Sequence, residues 1–132
     1  MGRMPRAVGI VLVVDAANVV GSRPTGWWRD RPGAARDLVA WVRAAVRDGR
    51  LDAAVVIVLE GKARDGAALG TADGVEVVHA RGSGDDAIVD CVAACREPVT
   101  IVSADRALGD RVRPHGATIV GPTWLLELLD AQ

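Results

Sequence analysis

The chain alternates short, unbroken apolar runs with longer segments whose apolar residues recur at helical spacing. The runs are Val8 to Val14, Ala53 to Leu59, Val75 to His79, Val99 to Ser103 and Ala117 to Val120. They are rich in Val and Ile with little polar alternation, the pattern of strands covered on both faces. Between them the spacing predicts helices over Ala34 to Asp48, Asp85 to Arg96, Ala104 to Val112 and Thr123 to Leu129. In the first, Leu38, Val39, Trp41, Val42, Ala45 and Val46 form an apolar stripe. Pro114 stops the third. Such alternation implies right-handed crossovers and a parallel sheet between two helical layers. The prediction is an α/β protein: one three-layer α/β/α domain spanning residues 1 to 132 on a five-stranded parallel sheet. The Gly/Ala-rich stretch from Glu60 to Gly74 reads as a flexible connection with room for a short helix; it lacks the Gly-Lys-Ser/Thr ending of a phosphate-binding loop.

Three carboxylate-bearing turns follow strands or open helices. They are Val14-Asp15-Ala16-Ala17-Asn18, Gly82-Ser83-Gly84-Asp85-Asp86 and Val102-Ser103-Ala104-Asp105. Singly, each has an ordinary explanation as a helix cap, a turn former or a complement to a helix dipole. Together they matter more, because the carboxyl ends of parallel strands share one rim where ligands bind. Crowded carboxylates repel one another unless a cation joins them, which points to Mg²⁺ or Mn²⁺. In a sheet ordered 3-2-1-4-5, Asp15 and Asp105 follow neighbouring strands that flank the topological switch point.

Composition narrows the classes. Half of the residues are hydrophobic and a quarter are charged, as in a folded soluble domain. The net charge of −1 argues against a generally basic nucleic-acid coat but leaves room for a local basic groove. Phe and Tyr are absent, which disfavours a base-stacking sheet of the RNA-recognition type. Arg3 and Arg6 ahead of Ala7 to Val14 resemble the start of a secretory signal, but a short run ending in Asp15 fits a buried strand better. No segment is long enough to span a bilayer, so no membrane partner is expected. Cys91 and Cys95 read as small core residues in a reducing compartment, and the expected location is cytoplasmic. His79 and His115 have no His/Cys cluster beside them and read as structural or surface residues.

Taken in order, Val14-Asp15-Ala16-Ala17-Asn18-Val19, Gly84-Asp85-Asp86-Ala87-Ile88-Val89 and Ile101-Val102-Ser103-Ala104-Asp105 resemble the motifs of a NYN domain, a branch of the PIN-like metal-dependent nuclease superfamily. The resemblance runs from the first strand to the Gly-Pro-Thr-Trp-Leu-Leu segment. It implies a PIN-like fold, the strand order 3-2-1-4-5 and a Mg²⁺- or Mn²⁺-dependent ribonuclease. It implies that Asp15, Asp85, Asp86 and Asp105 are the catalytic and metal-binding acids, with Asn18 a polar partner of the first. Relatives often add an acid one turn after the last; Asp110 stands there one residue off the best helical alignment, a further candidate ligand. The Asp-Ala-Ala-Asn turn departs from the Asp-Gly-Xaa-Asn form common in relatives.

Arg23, Arg29 and Arg31, with Trp27 and Trp28 among them, lie in the long loop expected after Asp15. Guanidinium groups suit phosphates and an exposed Trp28 can stack on an unpaired base, so these are candidate positioning residues for an RNA partner. Two other readings stay open: a phosphohydrolase acting on nucleotides or phosphate esters, and a catalytically silent RNA- or protein-binding module. Assembly into homo-oligomers stays open as well.

Overall fold

The computed structural model describes residues 10–130. The elements run β1 (Val11–Asp15), α1 (Ala16–Gly21), α2 (Arg31–Arg47), β2 (Ala54–Leu59), β3 (Gly70–Ala72), β4 (Val75–His79), α3 (Gly84–Ala94), β5 (Val99–Val102), α4 (Arg106–Val112), β6 (Thr118–Val120) and α5 (Pro122–Asp130). The secretory-signal reading of Arg3 to Ala7, and the first residues of the predicted strand, Val8 and Gly9, lie outside the described residues.

The strands form one sheet ordered β3-β4-β2-β1-β5-β6. The five Val/Ile-rich strands are parallel and follow the predicted order 3-2-1-4-5. The difference is β3, which pairs antiparallel with β4 and makes the sheet six-stranded. Its three residues, Gly70, Thr71 and Ala72, are all exposed and carry no apolar pattern to announce a strand. The Glu60-to-Gly74 connection is thus a 3₁₀ segment, Gly61–Gly66, followed by a hairpin strand.

Successive residues of a strand point to opposite faces, and here they feed two cores. Leu12 and Val14 join Ile57, Leu59, Val75 and Val77 under α1, α2 and α5. Val13 joins Val58, Ile101 and Val99 under Ile88 and Val92 of α3 and Leu108 and Val112 of α4. Burial on both sides explains the unbroken apolar runs.

The stretch after β1, read as a long loop, instead opens with α1. Asp15 caps that helix, and Ala16 and Val19 anchor it in the core. The predicted stripe of α2 also needs one correction. Ala35, Leu38, Val39, Val42 and Ala45 face inward, whereas Trp41 sits at the flank of the stripe, 51% exposed. At the start of α2 the 3₁₀ segment comes in very close: a Cβ on Gly66 would collide with the Pro32 carbonyl oxygen. Only glycine lets these backbones touch, and the contact seats the end of the 3₁₀ segment against α2.

Candidate active site at the carboxyl edge of the sheet

The register sets the first contact. Val14 stands opposite Val102, so the next residues along, Asp15 and Ser103, meet at the rim. Both are almost fully buried. The Ser103 hydroxyl donates to Asp15 Oδ2 at 2.9 Å, and its oxygen accepts from the Asp105 amide at 3.1 Å. Asp15 Oδ1 accepts from the Asn18 amide at 3.4 Å. Asn18 Oδ1 in turn accepts from the Ala104 amide at 2.8 Å, tying α1 to the loop after β5. Asp105 caps α4 through Oδ1, which accepts from the Leu108 amide at 3.1 Å. Both aspartates therefore hold the capping role that a plain reading assigns them, and both also stand on the shared rim.

Glu60, the residue after β2, completes the arrangement. Its Oε2 accepts from the Gly84 amide at 3.1 Å. A Cβ at position 84 would lie 2.9 Å from Glu60 Oε1, so glycine is what admits the carboxylate. This contact draws the start of α3, and with it Asp85, toward the ends of β1 and β2. Sequence reading treats Glu60 only as the start of a connection. Its signal was its place: like Asp15, it is an acid where a parallel strand meets the rim.

The charges of these acids bear on one another. Burial pushes the Asp15 carboxyl above its ordinary value; the hydrogen bonds from Ser103 and Asn18 oppose this, and the charges of Asp85 and Glu60 add to it. Burial also raises Asp85, with Asp105, Glu60 and Asp86 contributing and Arg111 opposing. Asp85 therefore lies in the field of carboxylates from three different loops.

Could these side chains hold a hard divalent cation? The donors are all carboxylate oxygens, the right kind for Mg²⁺ or Mn²⁺. Among the described residues, no three His, Cys, Asp or Glu side chains stand close enough to grip one ion as placed. That spacing is compatible with Mg²⁺, which keeps several waters and is bound through one or two carboxylates plus substrate oxygens. The donor set therefore fits in kind, with water completing the coordination.

Two predicted acids turn elsewhere. Asp86 Oδ1 pairs with Arg111 at 2.9 Å across α3 and α4, and its amide is capped by Ser83 at 3.1 Å. Asp110 pairs with Arg113 at 2.9 Å on an exposed face. Arg111 itself, unremarked in the sequence, pairs with Asp86 and also opposes the rise of the Asp85 carboxyl.

Of the candidate positioning residues, Arg31 and Arg23 line two adjoining clefts, while Trp28 and Arg29 lie beside them and Asn18 sits at the rim. One, about 330 Å³, runs from Glu60 and Gly61 past Ala16 and Ala17 to Arg31 and Trp27. The Arg31 guanidinium lies 5.5 Å from the Trp27 ring centre. Trp28 meets Trp27 edge to face at 6.0 Å, carries Arg29 over its ring at 5.9 Å and is 54% exposed. Among the described residues, neither Arg29 nor Arg31 is paired with a carboxylate. Arg23 lines the second cleft and pairs with Asp130 at 2.6 Å.

No family model matches the sequence, and no curated protein matches it significantly. Solved structures do. Rae1 (YacP) from Bacillus subtilis superposes with a TM-score of 0.65 at 18% identity, covering 91% of this chain and 73% of that one. Its W164L mutant gives a TM-score of 0.68 at the same identity, covering 91% and 74%. At that identity the likeness is one of fold: the chain has the α/β/α architecture of Rae1 over nearly its whole length.

Proposed function

We propose that this protein is a PIN-like, NYN-type ribonuclease that hydrolyses RNA phosphodiesters with the help of Mg²⁺ or Mn²⁺. One observation carries the reading: Asp15, Glu60, Asp85 and Asp105, from four separate loops, share one electrostatic neighbourhood at the carboxyl edge of a parallel sheet. Acids that perturb one another are candidates for a functional site, and the carboxyl ends of parallel strands are where ligands bind. The motif resemblance and the Rae1-like fold support the same class.

From the set Asp15, Glu60, Asp85 and Asp105, one or two carboxylates would hold a hydrated ion directly and the others would act on it through its waters. Bound there, it supplies Lewis acidity toward a phosphodiester and lowers the pKa of a water molecule. The chain's own residues do the rest. Ser103 favours the ionised form of Asp15 and aims it, because its hydroxyl donates to the carboxylate. Asn18 locks the β1 and β5 loops together, fixing the separation of Asp15 and Asp105. Arg31 presents its guanidinium group along the cleft that leads from Glu60, and Arg29 lies over the neighbouring Trp28 ring; both suit phosphates flanking the cut. No helix among the described residues is long and apolar enough to cross a membrane.

The test is cleavage of labelled RNA by purified protein with Mn²⁺, against EDTA, Asp15→Asn and free nucleotides. Mn²⁺-dependent cutting of RNA that EDTA and Asp15→Asn abolish is the expected outcome. Turnover of nucleotides or simple phosphate esters in preference to RNA would replace this reading with the phosphohydrolase one. Binding without turnover under all conditions would leave a silent RNA-binding module.

A further inference from the structure

The second cleft is unexplained by the chemistry at the rim. It holds about 280 Å³ between α1, the loop after it, α2 and α5. Its walls are Trp27 and Trp41, with Val20, Leu38 and Leu126 beneath. Trp41 leaves half of its surface to solvent. An indole at the flank of a helix could have packed inward or been replaced by a polar residue; here it borders a hollow. The cleft also adjoins the one that begins at Glu60, because Val20 and Trp27 line both.

Charge distinguishes the two. The cleft from Glu60 has Arg31, with no carboxylate partner among the described residues, and Arg29 lies close by. In the Trp41 cleft the charges are matched. Arg23 is paired with Asp130, Arg36 with Asp37 at 3.4 Å, and Asp30 caps α2 by accepting from the Gly33 amide at 2.9 Å. A phosphate gains little in such a balanced lining, whereas a flat, neutral heterocycle gains aromatic contact. The Arg36–Asp37 pair is long and at least half exposed, so both groups can turn to the hydrogen-bonding edge of such a ring.

We propose that the Trp41 cleft is a base-binding subsite. It takes one unpaired base of an RNA strand whose backbone runs along Arg31 and Trp27 to the carboxylate cluster. The inference rests on the ribonuclease reading and deepens it: the substrate must be single-stranded, since a base held in a duplex cannot enter a cleft of this size. Trp41 and Trp27 are then residues that select substrate, while the acids at the rim cut it.

The experiment measures binding of a labelled ten-nucleotide RNA by fluorescence anisotropy in EDTA, with wild type, Trp41→Ala and Trp41→Phe. Each RNA position is replaced in turn by an abasic unit, and the matching duplex serves as control. Wild type is expected to bind the single strand well above the duplex and to lose affinity at one abasic position. Trp41→Ala should weaken the intact strand about tenfold, as for the loss of one stacked base, and erase the penalty at that position. Trp41→Phe should restore most of both. Equal affinity for duplex and single strand, an abasic profile unchanged by Trp41→Ala, or no RNA binding by wild type would overturn the proposal. The two readings separate cleanly. Mn²⁺-dependent cleavage without the Trp41 coupling refutes the subsite alone, and the coupling without cleavage refutes the ribonuclease alone.

Discussion

Replacing Ser103 by Ala tests the link between burial and chemistry at the rim. The hydroxyl does two jobs: it donates to Asp15 Oδ2 at 2.9 Å in a buried setting and accepts from the Asp105 amide at 3.1 Å. A hydrogen bond to a charged group contributes roughly 1.5–3 kcal/mol, and an orphaned donor costs about 1–3 kcal/mol. The Asp105 amide is only partly buried and can find water, so its share falls at the lower end. Ser103→Ala should therefore destabilise the metal-free protein by about 2–4 kcal/mol at neutral pH, a large part of the roughly 5–15 kcal/mol typical of a domain. The effect must also depend on pH. Burial holds the Asp15 carboxyl above its ordinary value, so the folded state binds that proton more tightly than the unfolded chain. Stability then falls as pH rises from the unfolded pKa through the higher folded one, and the penalty is complete above that window. Without Ser103 the folded pKa rises further and the window widens upward. Below it Asp15 is protonated in both proteins, and the cost of Ser103→Ala should shrink to about 1 kcal/mol, that of a single neutral hydrogen bond. Urea denaturation of both proteins at about pH 3 and pH 7.5 in EDTA, repeated in an Asp15→Asn background, measures this. A cost within about 0.5 kcal/mol at neutral pH, the range of an ordinary surface change, or one equal at both pH values, would refute the reasoning.

Other substitutions probe the same geometry. Gly84→Ala should push Glu60 off the α3 amide and lower Mn²⁺ affinity by about 10–100-fold, as removal of a supporting group does; calorimetry with Mn²⁺ reads it, and unchanged affinity would exclude Glu60 from the site. Asp85→Asn should cost far more Mn²⁺ affinity than Asp86→Asn, because Asp86 is held by Arg111; the stability loss of Asp86→Asn should stay within the roughly 0–1 kcal/mol of an exposed pair. Replacing Arg23, Arg29 and Arg31 together by Gln should leave Mn²⁺ binding intact while making the salt dependence of RNA affinity shallower by about 0.7 for each phosphate no longer neutralised. An identical salt slope would remove the loop from the RNA path.

How much of this was legible in the chain follows from what is local. Val and Ile runs announce buried strands because both faces of the sheet are covered, and residues such as Leu12 and Val13 need no neighbour's identity to be apolar. Parallel strands all point one way, so Asp15 and Asp105, each following a strand, had to share an edge. The β4 side of the sheet was harder. β3 has no apolar residue beyond Ala72 to betray it and forms only because β4 offers an open edge. The helix after Asp15 was hidden by its brevity, and it is tertiary burial of Ala16 and Val19, more than propensity, that holds six residues in a helix.

The direction of each side chain at the site belongs to the tertiary structure. Sequence places Asp85 and Asp86 side by side on α3, yet successive helical residues point about 100° apart, and the packing of α3 against α4 decides that Asp86 meets Arg111. Nothing near Glu60 in the sequence marks it as a partner of Gly84, 24 residues on; the 3₁₀ segment seated against α2 and the missing Cβ bring them together. Trp41 belongs by spacing to an apolar stripe and by packing to a cleft, because α1, α2 and α5 leave a hollow between them that the indole borders. Local pattern decides which residues are buried and which edge collects the acids. How helices cross decides which acids meet, since a crossing is the sum of many distant contacts and has no short segment to encode it.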